Sequence, residues 1–297
     1  MGRAASLTVR LLFACAALTC ATSLGAAGER FAQGVLWRVS KAGVAPSHIY
    51  GTMHVADPRL AELPAPVRKA FAAADALVVE YVADGYERVR FLEAATFLDR
   101  QTLAEKIGQE DFSRAYAALK PIGLSEEFVN KLKPWGVLLN LRANGASDGP
   151  TPDAQLYALA RERRMSLFQM EGVEEQVFVF DEFPMASQVA LLKHALANRA
   201  DLEAISEQTL RAYLARDLAA IWRIHEELAV RYPQLADHHA SFTKRVVLDR
   251  SIVMAFRMQR QLRKGRAFVA IGALHLYGAQ GVLAMLEQDG YRVTRVF

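Results

Sequence analysis

"HIYGTMHVAD" (residues 48–57) and "FVAIGALHLYGAQG" (residues 268–281) are each an apolar run closed by Gly-x-x-His, and more than two hundred residues separate them. Both runs are short and rich in β-branched and aromatic residues, which suits buried strands better than helices. Upstream of the first, "GVLWRVS" and "SHIYGT" flank the turn-forming "KAGVAP" and read as a hairpin whose second strand ends at Gly51. Downstream, Asp57 before Pro58 reads as a cap and first helical position, "APVRKAFAAAD" as a helix and "ALVVEYV" as a strand. Strand, helix, strand is a parallel βαβ unit.

The second motif has a similar surround. "RAFVAIGALH" reads as a buried strand, "LYGAQGVLAMLEQDG" as a helix stopped by Gly290, and "YRVTRVF" as an alternating last strand. Another helix-to-strand unit lies between the motifs, where "DAQLYALARERR" opens a helix at Asp153 and runs into "MSLFQMEG". Most of the remainder has helical periodicity, with Pro121 and Pro134 as interruptions and "NGASDGPTP" (144–152) as a loop beside the site. These patterns predict one α/β domain over residues 29–297, with a central, mostly parallel sheet and helical insertions over about 86–165 and 180–264.

The first 28 residues read as a signal peptide: Arg3 and Arg10 border the apolar "LLFACAALTCATSL", and "GAAG" offers small residues for cleavage near Ala27 or Gly28. Export to the periplasm or beyond is the expectation, with no stable membrane span in the mature chain. Lipidation at Cys20 is disfavoured by Ala17 and Thr19 before it, and an uncleaved anchor has only a weak basic flank. Cys15 and Cys20 are the only cysteines, so the mature protein has no disulfide and no thiolate chemistry. Losing two arginines takes the net charge from +4 to +2, which does not suggest a nucleic-acid partner.

Chemistry then has to come from nitrogen and oxygen. Four such residues follow the expected strands: His54 after "HIYG", Glu80 after "ALVV", Glu171 after "LFQM" and His275 after "FVAIG". Ligands of open parallel sheets bind beyond the carboxyl ends of the strands, so two imidazoles and two carboxylates are expected on one rim. Gly51 and Gly272, lacking Cβ, permit a tight turn or a close neighbour there. Two neutral imidazoles with a carboxylate form a common first-row metal shell, and an acidified water on that metal suits hydrolysis. One glutamate would bind the metal while the other serves as base or orients a histidine. Glu80 is the better ligand; Glu171 reads equally well as the cap of the helix opening at "VEEQ".

Other histidines are weaker candidates. "HEELA" (225–229) has Ala229 where the zinc-protease helix needs its second histidine. His238 and His239 lie in a polar stretch and read as solvated; His48 and His194 read as structural. "RQLRKGR" reads as a solvated helix face, and neither a phosphate-binding Gly-rich loop nor a Gly-x-Ser-x-Gly elbow occurs.

The combination of "YGTMH", Glu80, "KPW" (133–135), "DAQLYALARERRMSLFQMEGVEEQ", "LDR" (248–250) and "VAIGALHLYGAQGVLAMLEQDGYRVTRV" resembles the TraB/GumN family across nearly the whole mature chain. That family is similar to the PrgY and Tiki proteins and, more distantly, to erythromycin-esterase-like and ChaN-like proteins. The resemblance implies an α/β fold with a duplicated βαβ core, a site at the two Gly-x-x-His motifs and, from the Tiki branch, a divalent-metal-dependent peptidase. It implies His54, His275 and Glu80 as metal ligands, Glu80 and Glu171 as catalytic carboxylates and Arg250 as a charge stabiliser of a reacting oxyanion. Mn or Co is expected first, with Zn and Fe also admitted. The family pattern leads one to expect Asn after that arginine, where this chain has Ser251. The expected activity is that of an exported metallohydrolase acting on peptides or another small substrate; the alternative is a protein that sequesters such a ligand in the same crevice without turnover.

Overall fold

The computed structural model describes residues 30–82, 85–143 and 149–297. The leader over 1–28 and most of the polar loop at 144–152 lie outside the described residues. β1 (Leu36–Lys41) and β2 (Val44–Thr52) form the expected antiparallel hairpin, with Leu36 opposite Tyr50 and Val39 opposite Ser47. Its turn is tighter than the sequence suggests, since Val44, Ala45 and Pro46 already belong to β2, and β2 continues one residue past Gly51. Asp57 and Pro58 start only a single 3₁₀ turn, Pro58–Leu60, and α1 (Ala65–Ala72) begins after Pro64.

β3 (Ala76–Val79), β4 (Ser166–Gln169), β5 (Ala267–Gly272) and β6 (Arg292–Arg295) complete a six-stranded sheet of order β4-β3-β5-β2-β1-β6. β4, β3, β5 and β2 run parallel, while β1 is antiparallel to both β2 and β6. β2 and β3 are therefore not neighbours: β5, from the far end of the chain, lies between them. Every residue of β5 is buried, as its unbroken apolar run requires of a strand covered on both faces, whereas β6, at an edge, buries only Val293. Thr52 pairs with Gly272 and Val79 with Ala270, so β2 and β5 end together and β3 ends two residues short of them at the same edge of the sheet.

The intervening chain is helical: α2 (Gly85–Ala94), α3 (Leu103–Ile107), α4 (Gln109–Leu119), α5 (Glu126–Lys131), α6 (Pro134–Ala143), α7 (Pro152–Glu162), α8 (Val173–Asp181) and α9 (Met185–Ala197). α10 (Arg199–Leu214), α11 (Leu218–Arg231) and α12 (Ala236–Thr243) follow, then a π-helical stretch, Lys244–Asp249, and α13 (Arg250–Leu262). The last helix, α14 (Val282–Gln288), is shorter than its sequence pattern, because Gly278 adopts φ +97° and ends the 3₁₀ turn region after His275.

The main core covers the sheet, and a second cluster, including Leu103, Phe112, Leu119, Leu132 and Leu192, belongs to α3–α6 and α9. The "KPW" segment ties this helical region to α8: Lys133 and Trp135 both donate to Asp181, at 2.6 and 3.1 Å, and Trp135 stacks on Phe180. No helix among the described residues is long and apolar enough to cross a membrane.

Candidate functional site

His54, two residues past β2, and His275, three past β5, meet at Glu80, the residue after β3. Glu80 Oε1 lies 3.7 Å from His54 Nε2 and 3.9 Å from His275 Nε2. The same oxygen accepts the Gly272 backbone N–H at 2.5 Å, and Oε2 accepts from Arg250 Nη2 at 2.7 Å. Glu171, which follows β4 by two residues, accepts from Arg250 Nε and Nη2 and from Gln176 Nε2 at 2.6 Å. The five residues singled out from strand ends and the family pattern thus form one cluster, buried except at His54, whose side chain is 58% exposed. That side is the mouth.

The two glycines serve close approach rather than turning. A Cβ on Gly51 would sit 2.6 Å from the Leu276 side chain and 3.2 Å from Ala273 Cα, both in the second motif. A Cβ on Gly272 would sit 3.3 Å from both Glu80 Oε1 and His54 Nε2, in the first half of the chain. Each motif is hollowed to admit the other. Beneath them, the Tyr213 hydroxyl lies 2.9 Å from the Gly51 carbonyl and from the Tyr50 hydroxyl. Burial raises the pKa of both phenols, keeping them protonated and neutral.

Each imidazole is held through Nδ1. His54 Nδ1 is 3.0 Å from Asp153 Oδ2, and Asp153 Oδ1 accepts from the Thr52 hydroxyl at 2.8 Å. Ser251 Oγ donates to the Val247 carbonyl at 2.7 Å and lies 2.9 Å from His275 Nδ1. With its one proton given to Val247, Ser251 can only accept from His275, so Nδ1 carries the hydrogen and Nε2 presents a lone pair. The Val247 carbonyl, 3.2 Å from the same nitrogen, belongs to the π-helical stretch, a local rewinding that recurs at functional sites.

The environments of the histidines differ. The Asp153 carboxylate raises the pKa of His54 well above its ordinary value, with Glu80 adding to it and burial opposing. Burial pushes His275 down to about 4, and Arg250 and His54 add to that against the pull of Glu80. Burial works against the charge on Glu80, but His275, His54 and Arg250 together hold its carboxyl well below the usual range. Desolvation lowers the Arg250 value, yet both glutamates outweigh it and the net shift is upward.

Asp153 is a site residue that the sequence alone does not reveal. Its place at a helix start suggests a cap, but Thr151 is the N-cap of α7 and Asp153 points to Thr52 and His54 instead. The clue is redundancy: Thr151 already satisfies the first turn, leaving the neighbouring carboxylate without local work. Glu171 is likewise no cap, since Glu175 accepts from the Gly172 N–H. His238 and His239 are half-buried on α12, not solvated, because the polar stretch around them is a packed helix.

Could the cluster hold a metal? Both Nδ1 atoms are engaged by oxygens, and both Nε2 atoms face one carboxylate oxygen, the donor set a divalent first-row ion uses. Tetrahedral bonds of about 2.1 Å would place donor atoms about 3.4 Å apart. The gaps of 3.7 and 3.9 Å would have to close a little. The donor chemistry suits such an ion, but as the side chains stand no group of three His, Cys, Asp or Glu among the described residues could hold one. A cavity of about 640 Å³ lies elsewhere and includes neither histidine among its lining residues.

Residues 35–295 match the TraB/PrgY/gumN family, so the chain belongs to it. It is 24% identical over 247 residues to YbaP of Shigella flexneri, covering 81% of this chain and 88% of that protein, which is described only as uncharacterized. YbaP of Escherichia coli K12 is 23% identical over 246 residues, covering 81% and 87%. No solved structure matches.

Proposed function

We propose that this member of the TraB/PrgY/gumN family is an exported metal-dependent hydrolase with peptides as its substrate class. The observation that carries the reading is the convergence of two imidazole Nε2 atoms on one Glu80 oxygen, each ring oriented from behind by an oxygen partner. His54, His275 and Glu80 would hold the ion, with Mn or Co expected ahead of Zn or Fe. When bound, such an ion polarises a carbonyl and acidifies a water.

Glu80 brings a full negative charge to the two nitrogens. Arg250 is committed on every side, to Glu80, to Glu171 and through Nη1 to the Val246 carbonyl, so it acts through those carboxylates rather than on a substrate oxyanion. Glu171, held by Arg250 and Gln176, fixes the guanidinium that fixes Glu80. Asp153 and Ser251 orient the rings. The exposed edge of His54 leaves substrate a way in.

Export rests on the leader-like residues 1–28. The amino terminus of the processed protein, read by sequencing, is expected at or next to Gly28.

A second reading, a protein that sequesters a peptide or small ligand without turnover, draws on the prior engagement of both Glu80 oxygens by Gly272 and Arg250. One experiment separates the two. The purified protein is analysed for Mn, Co, Fe and Zn and incubated with a peptide library, with and without added Mn or Co, beside His54→Ala, His275→Ala and Glu80→Gln. Near-stoichiometric metal and cleavage in the wild type, both lost in the histidine variants, support hydrolysis. Binding of peptide without metal or cleavage supports sequestration.

A further inference from the structure

A cavity of about 640 Å³ lies between α13 and the β3–β4 edge of the sheet, away from the histidines. Its volume is in the range of small-molecule sites. Its deep part is apolar: Val78 is 1% exposed and Met170 5%, with the Phe168 ring beside them. Gln261, only 4% exposed, also lines it, and its side-chain amide has no partner among the described residues. The amide is not among the fully buried unpaired groups, so it opens onto the cavity, where a ligand's polar head can pair with it.

Most of the charge around the cavity is already used. Arg257 donates to the Met170 carbonyl and to Glu175, at 2.5 and 2.7 Å. Lys41 donates to the Asp289 carbonyl at 2.9 Å, and the Asp289 carboxylate accepts from Gln259 at 2.6 Å. Arg260 and Arg263 remain, both lining the cavity and neither with an acidic partner among the described residues. Three residues apart, they are positioned on one face of α13 and its C-cap.

An apolar floor, a free amide and two unspent guanidinium groups are complementary to one kind of molecule. We propose that this cavity binds a small amphipathic anion, its carboxylate or phosphate head taken by Arg260, Arg263 and Gln261 and its apolar body lying on Val78, Phe168 and Met170. Guanidinium forks match both head groups. The proposal is independent of the metal-site reading.

Octanoate and octyl phosphate, below their micellar range, are suitable probes, with octylammonium as the charge-reversed control. Calorimetric titration of the chelator-treated protein is expected to show one saturable site for at least one anion. Arg260→Ala/Arg263→Ala should weaken it at least tenfold, and Gln261→Leu severalfold, whereas His54→Ala/His275→Ala should leave it unchanged. Both arginines are exposed, so circular dichroism and Tm should show the double variant folded. Absence of saturable binding to both anions, equal binding of octylammonium, affinity unaltered in the arginine variant, or loss in the histidine variant would each overturn the proposal.

Discussion

Asp153 and Ser251 stand behind the two imidazoles as different partners: a carboxylate at the mouth, a hydroxyl in the interior. Groups of this kind typically contribute ten- to a hundredfold in metal affinity by fixing tautomer and ring orientation. Asp153→Asn and Ser251→Ala are therefore expected to weaken Mn or Co binding by about that factor, as read by competition with a fluorescent chelator. Ser251→Asn, which supplies the amide expected at this position from the family resemblance, should weaken it less than the alanine change. The histidines also set opposite pH trends. His275 has a folded pKa of about 4, below its unfolded value of about 6.5, so the unfolded chain takes the proton first. In metal-free protein this stability is present above pH 6.5 and is lost as pH falls toward 4, by roughly 3 kcal/mol. His54 is shifted upward, so its contribution is present below its unfolded pKa and fades as pH rises through the folded one. Urea unfolding of chelated wild type and His275→Gln, compared between pH 7 and 5, isolates the first trend; identical slopes would refute it.

At the scale of elements, strand ends decide the chemistry. β2 and β5 terminate together with β3 two residues short of them, and the one to three residues that follow each strand project beyond the same edge. The motif glycines make that crowding possible, but they do so unequally. Gly51→Ala would drive a methyl against Leu276 and the Ala273 backbone, a core overlap costing about 1–3 kcal/mol. Gly272→Ala meets polar tips instead, at 3.3 Å, where Glu80 and His54 must give way. The first variant should lower Tm by several degrees; the second should move Tm little and reduce metal affinity more. A reversed pattern in thermal unfolding and metal titration would contradict the assignment. Strand identity was legible because β5 is an unbroken apolar run and β2 a β-branched and aromatic one. Element limits were less so: the 3₁₀ turn at Pro58–Leu60 and the late start of α14 depend on backbone geometry that propensity does not report.

Across the whole molecule, Arg250 is the tie. It brings together a glutamate from the first third of the chain and one from the middle, beside a histidine from the end. Removing one member of a buried ion cluster leaves the others uncompensated, at about 3–5 kcal/mol, whereas removing all the charges together can be nearly neutral. Arg250→Met should thus destabilise strongly, and adding Glu80→Gln and Glu171→Gln should recover most of the loss, as denaturant unfolding would show. A triple variant no more stable than Arg250→Met would mean that packing, not charge, dominates there.

Five of the cluster's residues could be named from the chain because each follows a recognisable strand or matches a family motif, and strand ends in a parallel sheet share an edge as a matter of topology. The α/β class and the histidine pairing follow from that periodicity. Tertiary structure alone decided that β5 separates β2 from β3, that Asp153 abandons a cap for His54, and that the arginine faces carboxylates instead of open solvent. Periodicity records which side of an element is buried, but partners across hundreds of residues are chosen by packing and by the need to satisfy every buried charge.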